Sequence, residues 1–171
     1  MAAGFMTLAT GGRVGGVSAD SAGLLEAGLP SPRAVCRAVA PYGLDLSRHR
    51  SRRLDEQAVR SADLVLGMER RHAREALLLD ADALPRVFTL KDFVRRAEAV
   101  GPHQSTQPLD EWLGQINRGR RRADLVGRRA DDDVQDPLGS PNPAIATTAL
   151  EIRELVTRVA VLLSPDPAGP R

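Results

Sequence analysis

A chain of 171 residues, 42% hydrophobic and 27% charged, is long enough to bury one substantial core and is expected to form a single domain over residues 1–163 with a tail at 164–171. No stretch approaches the ~18 to 20 apolar residues of a membrane span, and no basic segment followed by an apolar run opens the chain, so no membrane partner is expected and the cytoplasm is the expected location. The net charge is only +2 and Cys36 is the one cysteine, which excludes an intrachain disulfide and a multi-thiolate metal site; no metal or cofactor is implied.

Met1 to Thr10 reads as a short helix, and the glycine-rich stretch to Gly16 leads into Val17-Ser18-Ala19-Asp20, a candidate strand. Pro30-Ser31-Pro32 opens a helix with Ser31 as N-cap and Pro32 in the first turn; Val35, Val39 and Tyr42 share one face and Gly43 ends it. Leu54 to Ser61 is a short helix. Asp63 to Met68 is a compact apolar run of the kind buried in a parallel sheet, Glu69 to Leu79 is helical, Arg86 to Leu90 is a second strand and Lys91 to Ala99 another helix. Strand, helix, strand, helix predicts an α/β fold, a parallel sheet with helices on both faces. Gly101 to Gln107 is a polar loop, and the helix after it carries Leu109, Trp112, Leu113 and Ile116 on one side. Arg118 to Arg129 is basic, Ala130 to Pro143 is an acidic loop, and a long helix containing Ile145, Ile152, Leu155, Val156, Val159, Leu162 and Leu163 closes the chain.

Twenty-three of the 24 cationic side chains are arginine, Lys91 being the lysine. An Ala- and Arg-rich composition follows from a GC-rich genome, so the run Arg118, Arg120, Arg121, Arg122, Arg128 and Arg129 reads first as a solvated face. It has no aromatic interleaving for stacking on bases, and no nucleic-acid partner is expected. His72 and His103 have no metal or triad spacing and are expected at the surface.

Four blocks in order resemble the low-molecular-weight protein-tyrosine phosphatase family: Asp20-Ser21-Ala22-Gly23 with Gly28 and the Pro-led helix; Gly43 to Arg52; Ala62 to Met68; and Asp133-Val134-Gln135-Asp136-Pro137. The resemblance implies hydrolysis of a phosphomonoester, with a phosphotyrosine protein as substrate, through a phosphocysteine intermediate. Catalysis in the family needs a loop of the form Cys, five residues, Arg, then Ser or Thr, whose backbone N–H groups hold the dianion and stabilise the attacking thiolate. The sixth residue after Cys36 is Tyr42, and Cys36 falls inside a helix, so it is rejected as nucleophile. Met1-Ala2-Ala3-Gly4-Phe5 resembles the sequence that follows the family's loop, and the expectation is that an internal methionine has been taken as the start, with roughly 15 to 20 residues, one strand and one loop, lying upstream. Without that strand the chain is expected to be poorly stable and inactive.

By the same resemblance Asp136 is the general acid and base, Pro137 stiffens its loop, His49 helps fix the phosphate loop, and Ser21 and Arg52 belong to the supporting scaffold. Leu138-Gly139 stands where the family carries aromatic residues against the substrate ring. A non-catalytic, phosphatase-like binding module is the alternative. Arsenate reduction ranks below it, because resolving thiols are lacking.

Overall fold

A computed structural model describes residues 1–11, 17–127, 129–137, 139 and 141–164. The glycine-rich stretch at 12–16, Arg128 of the basic run, Leu138 after the Asp-Pro pair and residues 165–171 of the tail lie outside the described residues. In chain order the elements are α1 (Ala2–Ala9), α2 (Arg33–Val39), α3 (Glu56–Ser61), β1 (Val65–Gly67), α4 (Arg70–Leu79), β2 (Val87–Thr89), α5 (Leu90–Val100), α6 (Leu109–Ile116) and α7 (Asn142–Leu163), with 3-10 turns at Ala40–Tyr42, Ala81–Arg86 and Arg122–Leu125. The described residues divide into two compact units, one made of 1–53 and 135–160, the other of 54–134 and the residues from 161 on.

The second unit holds the sheet. β1 and β2 pair in parallel, Val65 opposite Val87, Leu66 opposite Phe88 and Gly67 opposite Thr89; the α4 crossover between them supplies the α/β order that the sequence predicts. Three helix starts have a local cause. Asp55 accepts from the Ala58 amide at 2.7 Å to begin α3, Thr89 Oγ1 accepts from the Asp92 amide at 3.2 Å to begin α5, and His72 Nδ1 accepts from the Glu69 amide at 3.2 Å in a capping box on α4. Gly67 admits α4 close to the strand: a Cβ there would lie 3.0 Å from His72 Cβ and 3.1 Å from the Ala73 amide nitrogen.

Apolar side chains of α3, α4, β2 and the 3-10 turns form one core around Val59, Ala76, Ala83 and Val87, all fully buried. A second set is aromatic. Phe88, Phe93 and Trp112 meet edge to face at centroid distances of 5.4 and 5.9 Å, and the Trp112 indole N–H donates to the Gly101 carbonyl at 3.0 Å. His103 packs on Trp112 at 5.5 Å and pairs through Nε2 with the Gln107 carbonyl at 2.8 Å. Both histidines expected at the surface are therefore partly buried structural groups, His72 because a helix start needs an acceptor and His103 because an aromatic edge covers it.

The first unit is helical, with buried Phe5, Met6, Val35, Val39, Ile152 and Val159. Tyr42, half-buried, meets Phe5 edge to face at 6.1 Å, and Arg153 lies over its ring at 4.9 Å. Gly43 ends the α2 segment in the left-handed region at φ 77°. Two expectations are corrected here. Val17-Ser18-Ala19-Asp20 is not a strand; the bridges form further on, Gly23 with Arg53 and Pro30 with Arg50, where Gly and Pro residues let the chain turn toward a partner. Ser31 does not cap α2: Pro32, at φ −56° and ψ 140°, is itself the extended flanking residue, and the Ser31 carbonyl faces Cys36 Sγ at 3.8 Å.

Candidate active site

The first two blocks of the family resemblance are stitched to each other by backbone pairing. The Gly23 amide donates to the Arg52 carbonyl and the Gly28 amide to the Ser51 carbonyl, each at 2.8 Å. Ser51 closes the loop from the other side, its hydroxyl donating to the Glu26 carbonyl at 2.8 Å while accepting from the Leu29 amide at 3.0 Å. This places Ser21, which is exposed, on the same small scaffold as Arg52. The Arg52 guanidinium reaches Asp20 at 3.9 Å with both side chains exposed, so that pair adds little. His49 is half-buried in a turn fixed by its amide bond to the Leu46 carbonyl at 3.1 Å, and its own carbonyl accepts from Arg50 at 2.8 Å.

The third and fourth blocks meet in the same way. The Val134 amide donates to the Met68 carbonyl, at the end of β1, at 2.8 Å. On either side of that bond the acidic run is consumed by structure. Asp133 accepts from the backbone amides of Arg70 at 2.7 Å and Arg129 at 3.1 Å, closing the 129–133 turn onto the start of α4. Asp132 accepts from Arg70 Nε at 3.0 Å and Nη2 at 2.7 Å, a bidentate pair, and from Arg95 Nη2 at 2.8 Å. Burial pushes the Asp132 carboxyl up, but the hydrogen bonds from Arg95 and Arg70 outweigh it and hold it below its ordinary value. Asp132 and Asp133 are 5% and 8% exposed; Asp136, three residues on from Asp133, is exposed, and Pro137 after it is buried.

Sequence reasoning took Asp131, Asp132 and Asp133 as loop acids and missed these anchors, because their partners stand about 60 positions earlier in the chain. The available signal was an Arg pair at a helix start facing a carboxylate run beside an apolar residue. Cys36, set aside as a nucleophile, sits in α2 and is half-buried. No group of acidic, His or Cys side chains among the described residues has the arrangement of a metal site, and no described helix is long and apolar enough to cross a membrane.

The family profile described as low molecular weight phosphotyrosine protein phosphatase matches residues 3–105. The chain belongs to this family. The match takes in the first three blocks and stops short of Asp136-Pro137. No curated protein matches the chain. Among solved structures, the low molecular weight protein tyrosine phosphatase of T. tengcongensis is 26% identical, with a TM-score of 0.62 over 92% of this chain and 86% of that one. The YwlE arginine phosphatase of Geobacillus stearothermophilus is 22% identical, TM-score 0.65 over 93% and 80%. A YwlE mutant with a phosphorylated active-site serine is 23% identical, TM-score 0.69 over 97% and 88%. The last two carry the fold alone.

Proposed function

We propose that this low molecular weight phosphatase chain carries the scaffold and the acid–base loop for hydrolysing a phosphomonoester, of which a phosphotyrosine protein is the substrate class, and that the 171 residues as given are catalytically silent. Asp136 protonates the leaving oxygen and then activates water; Pro137 fixes the loop; His49, Ser21 and Arg52 support the phosphate-holding turn. The observation that carries the acid–base assignment is the fate of its neighbours. Asp132 and Asp133 are buried and spent on guanidinium and amide donors, while Asp136 follows directly on the segment they anchor and stays exposed. An exposed acid that follows directly on an anchored segment suits proton transfer to a bound leaving group.

Silence follows from the nucleophile. Thiolate attack needs sulfur in a turn of converging N–H groups, whereas the Cys36 thiol lies along a helix and faces the Ser31 carbonyl, which is an acceptor and not a donor. The test compares the 171-residue chain with one extended at its N-terminus by a strand and a Cys-x5-Arg-Thr loop. The unextended chain and its Cys36→Ser variant are expected to hydrolyse p-nitrophenyl phosphate only at background. The extended chain is expected to turn over, with kcat falling about 10²-fold or more in Asp136→Asn. A covalent phosphoenzyme on the unextended chain, or an extended chain indifferent to Asp136→Asn, would overturn the assignment.

A further inference from the structure

In the unit built from 54–134, six arginines line one cavity of about 450 Å³: Arg70, Arg95, Arg96, Arg120, Arg121 and Arg129. The carboxylates in its wall are Asp92, Asp124 and Asp132, so three positive charges stand unbalanced around a concave opening. Two of the three acids are buried at the base. Asp92 receives Arg95 at 2.6 Å, Arg96 at 2.8 Å and Arg120 at 3.2 Å, and Asp132 receives Arg70 and Arg95. These pairs fix several guanidiniums in place, which removes much of the ordering entropy a flexible cationic surface would lose on binding an anion.

The donors are not used up. Arg96 commits Nε to Asp92 and Nη1 to the Ile116 and Arg118 carbonyls, and its Nη2 meets no acceptor among the described residues. Arg95 commits Nη2 to the two carboxylates and Nη1 to the Asp131 carbonyl, leaving Nε. The Arg129 guanidinium has no acceptor among the described residues, and Arg121, largely exposed, reaches Asp124 at 3.6 Å. Arg95 and Arg96, held by Asp92, and the freer Arg121 and Arg129 thus bring unused N–H groups to one cavity lining, the donor type that a tetrahedral oxyanion requires.

We propose that this cavity binds a phosphate oxyanion, as the free ion or as the head of a phosphomonoester, at Arg95, Arg96, Arg121 and Arg129. The proposal does not rest on the catalytic reading. The test uses the 171-residue chain and arginine side-chain Nε–Hε NMR signals, titrated with inorganic phosphate, with phenyl phosphate, and with sodium chloride at matched ionic strength. Saturable shifts in the phosphate arms, absent from the chloride arm, are expected. In Arg121→Gln/Arg129→Gln, which leaves the buried pairs intact, the affinity should fall about tenfold with the urea midpoint unchanged. Response to inorganic phosphate alone assigns the free ion, and response to both assigns the ester class. Shifts equal in chloride, shifts that do not saturate, or a double variant that binds phosphate as the parent does would overturn the proposal.

Discussion

Replacing Asp132 by Asn removes a charge from a buried pair while keeping its shape. The Asp132 and Arg70 side chains are 6% and 9% exposed, so the variant leaves a desolvated guanidinium facing an amide. Breaking such a pair costs about 3 to 5 kcal/mol. Arg70 keeps its bond to the Val126 carbonyl at 3.0 Å and Arg95 is half exposed and keeps Asp92, which places the loss at the lower end, about 3 kcal/mol. For a chain of this length that corresponds to a Tm drop of roughly 6 to 12 °C, readable by urea and thermal unfolding. The double variant Arg70→Met/Asp132→Leu should recover most of it, since the cost lies in the unpaired charge. The pH dependence has a definite sign. The Asp132 carboxyl is held below its ordinary value, so its contribution is fully present above the unfolded carboxylate pKa of roughly 4 and is lost as pH falls through the lower folded value; Asp132→Asn should remove that part of the acid sensitivity. A loss below about 1 kcal/mol in the single variant would refute the reasoning, because the pair would then be worth no more than an exposed one.

Asp133→Ala should cost about 1 to 2 kcal/mol, and hydrogen exchange should show the effect concentrated in the amides of Arg70 and Arg129 that the carboxylate holds. Gly67→Ala should destabilise by about 1 to 3 kcal/mol, since the new methyl meets the Ala73 amide nitrogen at 3.1 Å and the backbone there cannot swing aside; chemical unfolding measures it. Arg120→Lys should cost about 2 to 3 kcal/mol in the same assay. Its side chain is 4% exposed, forks onto the Leu84 and Val87 carbonyls at 3.2 and 2.7 Å and stacks 4.0 Å over Phe88, a geometry an ammonium cannot reproduce.

Arg120 also marks where reading the sequence stops. In the linear chain it is one cation in a run, and a solvated face was the expectation. Phe88 and Asp92, which make it a core residue, are about 30 positions away, and nothing in the spacing of arginines reveals them. The helices and strands from α4 to α6 were legible because apolar periodicity is local: β1, β2 and the Trp112 face fall within the expected segments, with ends differing by one or two residues. Caps were less legible. Asp-x-x-Ala and Thr-x-x-Asp starts were overlooked beside the more conspicuous Pro-Ser-Pro, where proline supplied the boundary without a serine bond. For the candidate site, the resemblance singled out Asp136 and Pro137, but the difference between the buried pair Asp132 and Asp133 and the exposed Asp136 depends on contacts made across the fold.

The cations gripping Asp92 and Asp132 are all guanidiniums, with no ammonium group among them. The lattice of charges is therefore built without an amine, and its acid-sensitive flank is the Asp132 carboxylate, whose neutralisation would strip Arg70 and Arg95 of a shared partner. Amine-directed acylating reagents would pass it by for the same reason.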